Sequence, residues 1–133
     1  MAETFHCSVV TPERAVLECD ATSAIFPAHD GEIGILPQRA PLLCRLGTGI
    51  LRVQTEGEDR EFYIDGGFGQ MVDNRLTLLT EQAREKDEID LDAARQALKD
   101  AKALSVEDGY DERQTAIQRA QVQLKLVEPG SPY

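Results

Sequence analysis

Four groupings in this chain have residue types and spacings that could do chemistry. His29 and Asp30 stand together in PAHDGEIG, beside Gly31 and Glu32. General acid–base work needs a nucleophile matched to the pair at a diagnostic spacing, and none accompanies it, so these residues read as a turn or a partner contact. Gly66-Gly67-Phe68-Gly69 has the glycine density of a phosphate loop. It lacks the following Lys-Ser/Thr and the helix whose amides would face a phosphate, so it reads as a strand bend or bulge. Asp65 is placed to accept local hydrogen bonds there, and Phe68 to pack on the domain or on a partner. Asp92 and Arg95 form either a local helical ion pair or the polar contacts of a nucleotide or regulatory site. Arg113, Arg119 and Lys125 either keep a helix face wet or meet an acidic partner.

Metal chemistry finds little support. His6 and His29 are the 2 histidines of the chain, too few for a histidine-rich centre, and no EF-hand spacing occurs. Cys7, Cys19 and Cys44 are odd in number and lack CxxC spacing, so they are expected to be buried or partly buried free thiols.

The 133 residues, 41% of them hydrophobic, suffice for one modest core with or without a small appendage. A net charge of -10 argues against nucleic acid and anionic lipid as direct partners and favours a partner with basic patches. The acidity is concentrated: residues 1–90 carry 8 Lys and Arg against 17 Asp and Glu, residues 91–133 carry 6 against 7. No apolar run approaches the roughly 20 residues of a membrane span, and no basic, apolar signal segment opens the chain. The product is expected in the cytosol or on the cytosolic side of a membrane.

The elements that must position these residues change character near Glu81. Before it, seven to nine short strands are expected: 4–11, 15–19, 21–26, a brief apolar piece at 35–36, 46–54, 60–64, and a final pair at 71–72 and 76–79 around an Asp73-Asn74 turn. Residues 27–34 read as a loop, and Pro41 disfavours a regular central strand at 40–43. So many short strands imply two packed sheets, a sandwich or flattened barrel. After Glu81 the spacing becomes helical. Asp90 can cap a helix whose stripe is Leu91, Ala94, Leu98 and Ala101, extended by Leu104. A break at 105–109 leads to a second helix with Tyr110, Ile117, Ala120, Leu124 and Val127 as its stripe, interrupted near Arg113 and stopped by Glu128-Pro129-Gly130. The fold class is therefore α+β: an N-terminal β-sandwich of mainly antiparallel strands over residues 1–88, then an antiparallel two-helix hairpin over 89–133. The seam is rich in alanine and buries little area, so the hairpin is expected to be mobile or stabilised by a partner.

Three stretches together carry a family resemblance: GEIGILPQRAPLL at 31–43, DGGFGQMVDNRLTLLTEQA at 65–83, and the Ala-rich hairpin after it. The chain resembles, over nearly its whole length, the epsilon subunit of F-type ATP synthases, the delta subunit in mitochondrial naming. The resemblance implies a non-catalytic central-stalk subunit that couples the gamma subunit to the membrane c-ring during proton-driven ATP synthesis. It implies a peripheral position on the cytoplasmic face of the bacterial inner membrane. Gly31, Glu32, Gly34 and Pro37 fall on the family's c-ring contact loop, with Arg39 where many relatives carry histidine, and Gly66 and Gly67 match its paired glycines. Leu91-Asp92-Ala93-Ala94-Arg95 matches most of a motif by which some bacterial members bind ATP, with Gln96 where the motif continues with alanine. That implies no required cofactor but ATP as a regulatory ligand, held by Asp92 and Arg95 with help from Arg119. It also implies that the extended hairpin impedes ATP hydrolysis through contacts of Arg113, Arg119 and Lys125 with the alpha/beta catalytic ring. The rival readings are a free-standing ligand-binding sandwich, which would need an apolar cavity with convergent polar groups, and a small enzyme, for which no triad, metal set or cofactor motif emerges.

Overall fold

Apolar and polar residues alternate with period two through the first part of the chain, and strands follow from that alternation. The computed structural model describes residues 3–105, 107 and 109–128. In chain order it has β1 (Phe5–Val10), β2 (Ala15–Ala21), β3 (Ser23–Ala28), β4 (Gly31–Ile35), β5 (Leu42–Arg45), β6 (Thr48–Gln54), β7 (Asp59–Asp65), β8 (Phe68–Val72), β9 (Arg75–Leu79) and β10 (Ala83–Glu85). A 3-10 turn (Lys86–Glu88), α1 (Leu91–Ala103) and α2 (Tyr110–Val127) complete it. The chain divides into two compact units between Arg84 and Glu85.

The first unit is a sandwich of two five-stranded sheets, ordered β2-β1-β9-β8-β5 and β10-β7-β6-β3-β4. Pairing is mainly antiparallel, as expected, and β1 runs parallel to β9. On β1, Phe5, Cys7 and Val9 turn inward and are buried. They join Phe26, Leu51, Phe62, Ile64, Met71 and Leu78 in one continuous core. Each large side chain so buried contributes about 1.5–3 kcal/mol of transfer free energy.

Among the described residues ten strands form where seven to nine were expected, and the additions have physical reasons. Residues 31–35 are a strand rather than part of a loop: β4 pairs with β3 from Ala24↔Ile35 to Ala28↔Gly31, around a two-residue turn at His29-Asp30. Pro27 is tolerated inside β3 because the β3–β6 ladder has already ended at Ile25↔Arg52. β5 begins just after Pro41 and lies at the edge of its sheet, paired with β8. β10 extends the sandwich beyond Glu81, the residue at which helical spacing was expected to begin.

Asp73 and Asn74 turn between β8 and β9 with φ 51 and 60, the left-handed pair of a type I′ hairpin. Gly67 has φ 105, and a Cβ there would lie 1.9 Å from the Leu79 carbonyl oxygen, so the bend after β7 admits only glycine.

The second unit is the helical hairpin. Asp90 caps α1 as the sequence predicts, its carboxylate accepting from the amides of Asp92 at 2.9 Å and Ala93 at 3.4 Å. Ala94, Leu98 and Ala101 are buried on α1, and Ala120 and Leu124 on α2. The expected stripe is shorter at the loop end, where Leu104 and Tyr110 are 42% and 62% exposed; Leu126 is buried as well. Val106 and Asp108 in the predicted break, and the helix stop at Pro129-Gly130, lie outside the described residues. No helix among the described residues is long and apolar enough to cross a membrane.

Candidate functional site

Period two sends one set of side chains on the first sheet into the core and the other set out. The outer set is mixed, and its exposed apolar members gather on β5, β8 and β9. Registers align Val10 with Leu79, Leu79 with Phe68, and Phe68 with Arg45, one row across β1, β9, β8 and β5. The next row aligns Ser8, Thr77, Gln70 and Leu43. Leu43, Phe68 and Leu79 are 73%, 55% and 53% exposed, and Val72 adds to the same face. Phe68 and Leu79 also line an open groove of about 360 Å³ with Val10, Pro12 and Gly67. Scattered single apolar residues need no explanation, but a contiguous set on one sheet face marks an interaction surface.

The residues expected in a contact loop lie along β4 and beyond it. Gly31 and Glu32 follow the His29-Asp30 turn, Gly34 is in the strand, and Pro37 and Arg39 are in the loop 36–41 that crosses to β5. Glu32, Gly34 and Arg39 are exposed, and Leu36 in the same loop is 64% exposed. β4 itself is ~13 Å long. Gln38, at φ 64, holds a left-handed conformation unusual for a residue with a side chain. Its amide donates to Oδ1 of Asn74 at 2.8 Å, while Nδ2 of Asn74 donates to the Thr4 carbonyl at 2.9 Å. Sequence reasoning placed Asn74 in a turn and had no signal for this long-range clasp.

In the hairpin, Asp92 and Arg95 come together only loosely, at 4.0 Å. The closer partner of Arg95 is Glu128 beyond the end of α2, at 2.8 Å. Arg119 is exposed and stands nine residues before Glu128, roughly 13 Å along the helix axis. Lys125 is exposed near the C-terminal end of α2. Arg113 is occupied differently: its Nε donates to the Leu104 carbonyl at 3.0 Å and its Nη2 to that of Lys102 at 3.3 Å. The interruption in the α2 stripe is therefore a side chain capping the end of α1.

The three cysteines are free, Cys7 buried and Cys19 and Cys44 half-buried. Cys7 faces Cys19 across β1 and β2. Burial pushes the Cys7 thiol up to about 12, reinforced by Cys19. Burial also raises Cys19 and Cys44. Among the described residues, no three His, Cys, Asp or Glu gather as a metal site would require. His29 and Asp30 remain exposed at their turn, and the His29 amide donates to the Arg45 carbonyl at 2.9 Å. Asp65 accepts from the Thr48 hydroxyl at 2.6 Å, a tie between β6 and β7 beside the Gly66-Gly67 bend.

Residues 4–86 match the family described as ATP synthase, Delta/Epsilon chain, beta-sandwich domain. The chain belongs to this family. Relatives named ATP synthase epsilon chain extend the match past the sandwich. That of Rhodopirellula baltica is 38% identical over 92% of this chain and 97% of its own. That of Desulfitobacterium hafniense is 37% identical over 88% and 89%. Two cryo-EM structures contain chains of similar fold. A chain of the Euglena gracilis mitochondrial ATP synthase (OSCP/F1/c-ring) aligns with TM-score 0.74 at 24% identity, covering 95% of this chain and 78% of that one. A chain of the Tetrahymena thermophila mitochondrial ATP synthase (central stalk and c-ring) aligns with TM-score 0.63 at 13% identity, covering 92% and 98%.

Proposed function

We propose that this chain is a non-catalytic central-stalk subunit of a proton-translocating ATP synthase, coupling the gamma subunit to the c-ring. The observation that carries the reading is the exposed apolar face of the first sheet, in a chain of the delta/epsilon family. Phe68, Leu79, Leu43 and Val72 form its centre, and the gamma subunit is its occupant. Gly31, Glu32, Gly34, Pro37 and Arg39 meet the c-ring, and the subunit is peripheral, held on the cytoplasmic face of the bacterial inner membrane through the complex. Residues 1–88 serve as the rotor-binding domain and 89–133 as the regulatory domain.

The hairpin restrains ATP hydrolysis by extending toward the alpha/beta catalytic ring, where Arg113, Arg119 and Lys125 meet acidic surface. ATP is a regulatory ligand of the folded hairpin, with Asp92 and Arg95 as its polar contacts and Arg119 assisting. Gln96 donates to Asp100 at 2.8 Å, so the side chain that departs from the family's alanine is turned along α1.

Copurification tests the rotor assignment. The tagged chain should bring the gamma subunit with it, and Phe68→Glu with Leu79→Glu should abolish that while leaving the sandwich folded, because both side chains are outside the core. Retention of gamma by the double variant would reject this face. Deleting residues 91–133 should raise ATP hydrolysis of the assembled enzyme; unchanged hydrolysis would reject the regulatory role.

A further inference from the structure

We infer that Asn74 is a positioning residue for rotor contact: its side chain holds the loop 36–41 in the conformation that presents Leu36, Pro37 and Arg39. This rests on the reading of that loop as a c-ring contact. Loop 36–41 has exposed side chains at Leu36 and Arg39 and a left-handed residue at Gln38. A side-chain-bearing residue in that conformation persists only where its surroundings hold it. The Asn74 carboxamide supplies the hold. It accepts from the Gln38 amide at 2.8 Å and donates to the Thr4 carbonyl at 2.9 Å, an assignment that fixes which end is oxygen. The Asn74 carbonyl accepts from the His6 amide at 3.1 Å, so the anchor is itself pinned to β1. One side chain thus ties the loop, the β8–β9 turn and the start of β1 together.

The backbone of Asn74, at φ 60, permits a clean test. Asn74→Gly keeps the turn and removes both side-chain hydrogen bonds. Asn74→Asp keeps an acceptor for the Gln38 amide and loses the donor to Thr4. Hydrogen exchange at the Gln38 amide reads the clasp in the isolated subunit, and proton pumping per ATP hydrolysed reads the contact in the assembled enzyme. Asn74→Gly should speed Gln38 exchange roughly fivefold, the weight of one net hydrogen bond, and lower coupling. Asn74→Asp should restore part of both, since the Gln38 tie returns while the Thr4 tie does not, and a generally loosened sandwich would restore neither. Unchanged Gln38 exchange in Asn74→Gly, or coupling no better in Asn74→Asp, overturns the proposal. Arg39→Glu and Leu36→Asp separate it from the reading beneath it. If both leave coupling intact, the loop is not the c-ring contact, and the partner assignment falls with it. If both abolish coupling while Asn74→Gly does not, the positioning role alone is overturned.

Discussion

Arg95 in the first turns of α1 and Glu128 beyond the end of α2 meet at 2.8 Å, closing the hairpin at its open end. Both groups are partly exposed, 52% and 36%, so the pair is worth about 0.2–1 kcal/mol and weakens with salt. In a seam built largely on alanine that increment matters. It also places a carboxylate on the guanidinium proposed to receive a nucleotide.

Glu128→Gln follows from that geometry. Removing the negative charge frees the Arg95 fork and ends repulsion toward phosphate, so ATP affinity of the isolated subunit should rise severalfold in calorimetry while the apo hairpin loses up to ~1 kcal/mol. A fall in affinity would mean that Glu128 helps hold the nucleotide rather than competing with it.

Arg113 closes the other end. Its two hydrogen bonds to the Lys102 and Leu104 carbonyls exist only with the helices folded together, so an extended hairpin must release them. Arg113→Gln should cost about 1 kcal/mol of hairpin stability. Amide exchange checks this: α1 and α2 should exchange faster than β6 and β7 in the native chain, and faster still in the variant. Equal protection of hairpin and sheet would contradict the thin-seam account.

Cys7 gives the sandwich a pH dependence with a definite sign. Its folded pKa of about 12 lies above the ordinary 9.0, so the unfolded chain loses this proton first as pH rises. The stabilisation is fully present below pH 9 and declines between 9 and 12, by at most about 1.4 kcal/mol per pH unit. Denaturant melts at pH 8, 9.5 and 10.5 should show the loss, and Cys7→Ala should reduce it, leaving the smaller share of Cys19 and Cys44. At pH 8 iodoacetamide should label Cys7 only on unfolding.

How much of this could be read from the sequence depends on how local the cause is. The inward alternation of Phe5, Cys7 and Val9, the Asp73-Asn74 turn and the Asp90 cap rest on neighbours a few residues away, and all appear as expected. The strand at 31–35 was hidden because its glycines favour a loop locally, and only pairing with β3 supplies its ladder. Asn74 could be read as a turn residue but not as an anchor, since Gln38 is 36 positions away. Arg113 looked like a flaw in an apolar stripe because a carbonyl acceptor leaves no mark in sequence. The pairing of Asp92 with Arg95 was legible from spacing, whereas Glu128 as the nearer partner required the helices to fold back.

Gly67 offers the sharpest test of the sandwich itself. Its φ of 105 is costly for any side chain, and the nearest atoms to an added Cβ are backbone: the Leu79 oxygen at 1.9 Å and Thr80 Cα at 2.8 Å. Backbone cannot rotate away as a flexible side chain can, so β8 and β9 would have to separate. Its carbonyl also accepts from the Leu46 amide at 2.9 Å, which holds the bend from the opposite side. Gly67→Ala should therefore cost at least ~2 kcal/mol, combining conformational strain with displaced pairing, and lower the melting temperature by several degrees. Gly57, with open space around its Cβ position and no positive φ, is the control, and Gly57→Ala should stay within about 0.5 kcal/mol. Equal melting temperatures for the two variants would show that the β7–β8 bend yields where the geometry says it cannot.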